Sequence, residues 1–280
     1  MNRKLLKVER RTVQTIKETL EPKQIFDLIS SKEWPYSTMY LPEYPIRDRA
    51  GMALSFLTVA RVTEIFGGKK YRRCIEGGTL KTVQVLSHGV IKEKQIIKGG
   101  KEKPEAIGRH IGLKCENLEV TENFLFITNM PIVKRSCKVI EKYGPQVAQR
   151  DRLAFPLKTG LFDSVFYDQL VPFTWLVMEY LEKYAPEKGK LFPYQDCRAW
   201  QIINHCTGKF PNWFRAQADR FYGWYITRDS VKHSKFVGRV KAESSMPYIR
   251  YTWSDDLKEK SMAMDFTWIE KTVDEIKGRI

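Results

Sequence analysis

Cysteine is scarce and unpaired in this chain. Cys74, Cys115, Cys137, Cys197 and Cys206 are scattered through 280 residues with no C-x-x-C pair. That spacing argues against a zinc ribbon or a disulfide framework and reads as reduced core thiols. Long apolar runs are missing as well. The opening MNRKLLKVERRTVQTIKETL is broken by charge throughout, unlike a signal peptide, and no stretch reaches the length of a bilayer span. No membrane partner and a cytoplasmic location are therefore expected. Acidic residues are in deficit, 33 Asp and Glu against 48 Lys and Arg, giving a net charge of +15. No internal repeat or low-complexity segment appears.

What is present is enough to build a core. Hydrophobic residues make up 42% of the chain, which suits one large domain or a domain with a short arm. The basic excess raises a positive potential over much of the surface and makes nucleic acid, associated with the nucleoid, the leading partner class. Charge alone equally allows a basic soluble enzyme, because it governs association and not fold.

Periodicity divides the chain into three parts. Residues 1–47 read as a basic amphipathic helix with Leu5, Val8, Val13, Ile16 and Leu20 on one stripe, followed by an ordered, non-helical arm rich in Pro and aromatics. Residues 48–255 hold the main domain. It starts with GMALSFLTVARVTEIFGG, predicted as one helix stopped by Gly67-Gly68. A basic insertion over 69–112 then carries short β-prone pieces at Thr82–Leu86, Val90–Ile91 and Gln95–Ile97. LEVTENFLFITN reads as two strands around a polar turn, RDRLAFPL as another strand, and the chain beyond Leu157 as helical. Residues 256–280 form an amphipathic C-terminal helix. The fold class expected is α+β, mainly α-helical with a small antiparallel sheet.

Two arginines stand out. Arg61 is predicted within an otherwise apolar helix, one turn from Leu57 and Ile65, where a guanidinium needs an anionic partner. Glu64, three residues on, can supply one within the helix. Arg215, in KFPNWFRAQADRF, opens a helix whose N-terminal N–H groups already favour an anion. One phosphate can satisfy both arginines, since a planar guanidinium holds two phosphate oxygens and stays charged.

These residues carry a resemblance. LTVARVTEI is similar to the first arginine box of the tyrosine recombinases, the phage-integrase family, with Arg61 at the first catalytic arginine. FPNWFRAQ resembles that family's second box in its archaeal form, with Arg215 at the second arginine and Asn212 where the family has His. ENLEVTENFLFITNMPIVKRS resembles the sheet whose hairpin carries a catalytic lysine, best matched by Lys134 with Lys138 behind it. FVGRVKAESSMPYIRYTW resembles the closing box. There Arg239, twenty-four residues after Arg215, stands where the family has His or Trp. The nucleophilic tyrosine is then Tyr251 on its flanking residues, with Tyr248 the alternative on its nine-residue offset from Arg239.

The resemblance implies a tyrosine-recombinase catalytic domain, archaeal or viral, that cleaves and rejoins double-stranded DNA through a 3′-phosphotyrosine. It needs no metal or nucleotide cofactor. It implies self-association on DNA, from dimer to tetramer, with the C-terminal helix packed on its own domain or exchanged between subunits. Arg61 and Arg215 would stabilise charge on the phosphate oxygens, and Lys134 would protonate the leaving oxygen. Asn212 cannot exchange protons as a histidine does, whereas Arg239 can hydrogen-bond a phosphate. The departures at these two positions keep open a second possibility, a degenerate relative that binds DNA architecturally. His205 reads as a helix-packing residue and His233 as a surface one, with either able to stand in for the missing His. The aromatic group Trp213, Phe214, Phe221, Tyr222, Trp224 and Tyr225 reads as core.

Overall fold

A computed structural model describes residues 20–30, 43–76, 79–87, 90–98, 101–110, 112–133, 144–150, 152–239, 241–249 and 264–280. The basic helix read over 3–20 falls almost wholly outside them. The chain divides into two compact units, one formed by 1–67 with 111–280 and the other by 68–110. Among the described residues no helix is long and apolar enough to cross a membrane.

The first unit is mainly helical. Its centre is α2 (Glu43–Thr58) against α4 (Val171–Lys183). The first ten positions of α4 bury all of their side chains except that of Trp175, so this helix is apolar around nearly its whole circumference, as an interior helix must be. Phe173 is the hub: its ring stacks on Phe56 at 4.4 Å and meets Phe26 of α1 (Pro22–Ser30) edge-on at 5.4 Å. Offset and edge-to-face ring pairs of this kind add to the burial of large apolar area. The shell is completed by α5 (Asp196–Thr207), α6 (Pro211–Phe221), a π-helical turn (Tyr222–Thr227), α7 (Ser230–Val237) and α8 (Thr267–Lys277). Helix α8 packs on α4 of the same chain through Trp268, Ile269, Val273 and Ile276, and Arg279 closes the contact on Glu179 at 2.9 Å.

Two small antiparallel sheets complete this unit. Strand β6 (Phe124–Ile127) lies between β5 (Leu118–Val120) and β9 (Leu153–Pro156), with Val120 opposite Leu125 and Ile127 opposite Leu153. The polar turn Thr121–Asn123 joins β5 to β6, closed by the Thr121 N–H donating to the Phe124 carbonyl at 2.9 Å. Strands β7 (Met130–Pro131) and β8 (Gln149–Arg150) pair Met130 with Arg150.

Three features of this unit differ from the expectations of the sequence. First, α2 begins at Glu43, so a boundary at residue 47 falls inside a helix. Pro45 is tolerated because it sits in the first turn, where its missing N–H has no intrahelical acceptor to lose. Second, GMALSFLTVARVTEIFGG is not one helix. Val59 takes a left-handed φ of 53°, which breaks the run before the short α3 (Val62–Phe66), and Arg61 is the extended residue capping α3. A β-branched residue in that region is strained and persists only where the surroundings hold it. Third, Cys197 is exposed, and Cys115 and Cys206 are half-buried, packed against the core and not within it.

The second unit is a two-stranded antiparallel arm. Strand β1 (Gly68–Glu76) pairs with β4 (Lys101–His110), and β2 (Thr79–Ser87) with β3 (Val90–Lys98). The ladders nest: Glu76 lies opposite Lys101, Thr79 opposite Lys98, and Ser87 opposite Val90. The insertion read as short β pieces thus holds two nested antiparallel ladders, which period-two alternation interrupted by lysine only hints at.

Candidate active site

The break at Val59 leaves the final carbonyls of α2 without intrahelical donors. Two guanidiniums meet them. Arg150 Nη1, from β8, donates to the Thr58 carbonyl, and Arg215 Nε, from α6, donates to the Val59 carbonyl at 2.8 Å. Cations at a helix C-terminus also interact favourably with its dipole. Segments distant in sequence are thereby drawn to one point.

Glu64 is the counterion at that point, and its side chain is fully buried. Its carboxylate accepts from the Arg61 N–H at 2.8 Å, from Arg61 Nη1 at 3.1 Å, from the Val133 N–H at 3.3 Å and from Arg150 Nη2 at 3.4 Å. Four donors satisfy a buried carboxylate and explain why it remains in the interior. Arg150 is 1% exposed, whereas 35% of the Arg61 side chain meets solvent, so Arg150 holds the site from beneath and Arg61 presents a face outward. Arg150 is lowered to about 10, chiefly by burial, with Glu64 opposing the shift and Arg215 and Arg61 adding to it. Burial likewise lowers Arg215; Asp219 and Glu64 oppose that shift, and Arg61 and Arg239 add to it. Each of these groups therefore feels the charge of the others.

A second buried acid anchors the far side. Asp219 lies one turn beyond Arg215 on α6 and pairs with Arg239 Nη2. Arg239 Nη1 donates to Ser245 Oγ at 2.9 Å and lies 3.4 Å from His233 Nδ1. The His233 Nε2 is 3.0 Å from the Asp219 carbonyl oxygen. A carbonyl only accepts and a guanidinium only donates, which assigns the proton to Nε2 and leaves Nδ1 as acceptor. Burial lowers the His233 pKa, with Asp219 raising it and Arg239 lowering it again, in keeping with a neutral ring.

Tyr248 completes the cluster. Its ring lies under Arg239, with the guanidinium carbon 4.5 Å from the ring centroid, and stacks beside His233 at 6.3 Å. The backbone is held equally closely. A Cβ on Gly223, in the π-helical turn, would run into the Tyr248 carbonyl, so only glycine lets the two segments approach this far.

The arrangement brings Arg61, Arg215, Arg239 and Tyr248 into one network and adds residues that sequence reasoning did not single out for it, namely Arg150, Asp219 and Ser245. Arg150 carried one usable signal, a charge at the edge of an apolar strand in QRDRLAFPL. Asn212 is exposed in the first turn of α6, and no contact draws it into the network. His205 is exposed, not packed, and His233 is fully buried, not superficial, because α7 turns it inward onto Asp219. Lys134, Lys138 and Tyr251 lie outside the described residues. The aromatic group is core: Phe214, Phe221, Tyr222 and Trp224 are buried, with Trp213 and Tyr225 packed against them.

Four guanidiniums against two buried carboxylates leave two positive charges uncompensated, partly open to solvent. Such a site suits an oxyanion with charge spread over several oxygens, a phosphate above all. Among the described residues no group of three or more His, Cys, Asp or Glu is placed to hold a metal ion. The chain matches no protein-family model, no curated protein and no solved structure.

Proposed function

We propose that this chain is a site-specific DNA recombinase or integrase of the tyrosine type, which cleaves and rejoins duplex DNA through a 3′-phosphotyrosine bond. One observation carries the reading. Arg61, Arg150, Arg215 and Arg239, from four separate segments, form a single cluster with surplus positive charge and a phenol beside it.

The chemistry follows from that charge. A phosphodiester attacked by a phenol oxygen gains negative charge on its nonbridging oxygens, and guanidiniums already fixed in place stabilise this more than they do the ground state. The phenol oxygen bonds to phosphorus while the P–O5′ bond breaks. The phenol proton passes to solvent, and Lys134 protonates the departing 5′ oxygen. Reversal on another 5′ hydroxyl reseals a strand without an external energy source, because the phosphotyrosine keeps the bond energy. Arg61 and Arg215 hold the phosphate, and Arg150 supports them from below. Arg239 takes the place of the His or Trp of the resemblance and orients Tyr248. Tyr248 is accordingly taken as the nucleophile, with Tyr251 the alternative.

The test is covalent trapping. The full chain is incubated with nicked duplexes built from DNA flanking its own gene, and the expected product is a denaturant-resistant adduct whose nucleotide maps to Tyr248. Tyr248→Phe should abolish it. An adduct that persists in Tyr248→Phe and maps to Tyr251 moves the nucleophile and keeps the reaction. If tight duplex binding gives no adduct on any tyrosine, the chain is an architectural DNA binder.

A further inference from the structure

The arm over 68–110 is unexplained by the cluster just described. It carries eleven Lys and Arg against four Glu. In an antiparallel ladder, directly opposed residues share a face and faces alternate along each strand. Applied to the observed register, this sorts the outer half of the arm unevenly. The pairs Thr79/Lys98, Lys81/Ile96, Val83/Lys94, Val85/Lys92 and Ser87/Val90 occupy one face. Leu80/Ile97, Thr82/Gln95, Gln84/Glu93 and Leu86/Ile91 occupy the other.

All four lysines of this half, Lys81, Lys92, Lys94 and Lys98, fall on the first face, with no acid among them. Positions 92, 94 and 98 follow one another down β3, and Lys81 fills the gap across from Ile96. The row advances about 6.8 Å per step of two residues, twice the axial spacing of phosphates on one DNA strand. A two-stranded ribbon is also of the width that a DNA major groove admits.

We infer that the Lys81, Lys92, Lys94 and Lys98 face of this β-arm is a dedicated binding surface for the phosphate backbone of duplex DNA, separate from the arginine cluster. The inference rests on the proposed function in taking DNA as the partner. The residues that flank the arm are tied together within the first unit. Leu113 N–H donates to the Ile65 carbonyl at 2.8 Å, and Gly112, at φ 88°, packs against that carbonyl so closely that a Cβ would overlap it. Further out only two strands pair, so the ribbon has no third strand to bury a face on among the described residues. Two-stranded ribbons are marginal by themselves, and a polyanion laid along a basic face supplies the stabilisation that a third strand would give.

Nonspecific affinity and its salt dependence provide the test, with a random-sequence duplex as the probe. Changing the four lysines to Gln in the full chain should lower the slope of log K against log salt by up to about 3.6, at about 0.9 for each phosphate no longer neutralised. The matching Lys→Arg variant should keep the wild-type slope. Gln at three exposed lysines of the first unit, Lys183, Lys188 and Lys271, should leave the slope near wild type. A slope that the arm glutamines do not change, one that the body glutamines flatten just as much, or a wild type that does not bind duplex overturns the inference. The two readings fail separately. Adduct formation with no arm-dependent slope sinks the arm alone, and an arm-dependent slope with no adduct sinks strand transfer alone.

Discussion

The arginine cluster and the β-arm both concentrate positive charge, and they do so by opposite means. In the cluster, charge is fixed around two acids that are almost wholly inaccessible: Glu64 holds neighbouring Arg61 and distant Arg150, and Asp219 holds Arg239. In the arm, charge is sorted by local register alone, and its row of lysines runs without an acid on the same face. The first arrangement gives position at the cost of desolvation. The second gives attraction with almost no dependence on packing. Fixed geometry is what a reacting phosphorus requires, and loose electrostatic grip suffices for a backbone held along its length.

The contrast breaks most visibly at Glu64. Glu64→Gln removes the shared counterion from two guanidiniums, one of them fully buried, and should cost on the order of 3–5 kcal/mol in chemical denaturation. An equally stable variant would mean that the cluster is not held by this acid. Next comes Arg215→Ala, expected to slow adduct formation by roughly 10²–10³-fold, the loss typical of one preorganised donor, while duplex binding persists. An unchanged rate of trapping would remove Arg215 from the chemistry. Gly223→Ala is the sharper probe of position, because it displaces the Tyr248 backbone without touching any charge. A displacement of about 1 Å should slow trapping by up to about 100-fold. The arm should behave otherwise, with the four-lysine variant altering stability by about 0.5 kcal/mol or less per site despite its large effect on salt dependence.

The smallest effect expected is one of pH. His233 is buried neutral with its pKa lowered, so the unfolded chain binds more protons than the folded one below the ordinary histidine value of about 6.5. Stability should therefore be complete above that value and fall as pH drops through it toward the lowered folded pKa. His233→Asn should flatten that decline in urea midpoints between neutral and mildly acidic pH. An undiminished decline would assign it to other groups.

Much of this was legible in the residues themselves. Apolar spacing placed α4, α5 and α6 in the right stretches, and the polar turn at 121–123 and the strand in RDRLAFPL followed from local pattern. Arg61 and Arg215 also stood out, since a guanidinium amid apolar residues or at a helix N-terminus demands an anionic partner, whereas Arg239 came only from the resemblance. The break at Val59 was not legible, because nothing local favours a left-handed valine; it persists where Arg150 and Arg215 meet the carbonyls it exposes. The burial of His233 is likewise not a local property, since it depends on Asp219 in another helix.

Composition and periodicity alone determined the positive excess, the helical stretches and the β-prone, lysine-studded insertion, because these depend on neighbours within a few residues. Only the tertiary structure decided that Arg61, Arg150, Arg215 and Arg239 share two buried acids, and that Tyr248 stands beside them. A buried charge is tolerable only where an opposite charge from elsewhere in the chain arrives to meet it, and that meeting is settled by packing over the whole unit.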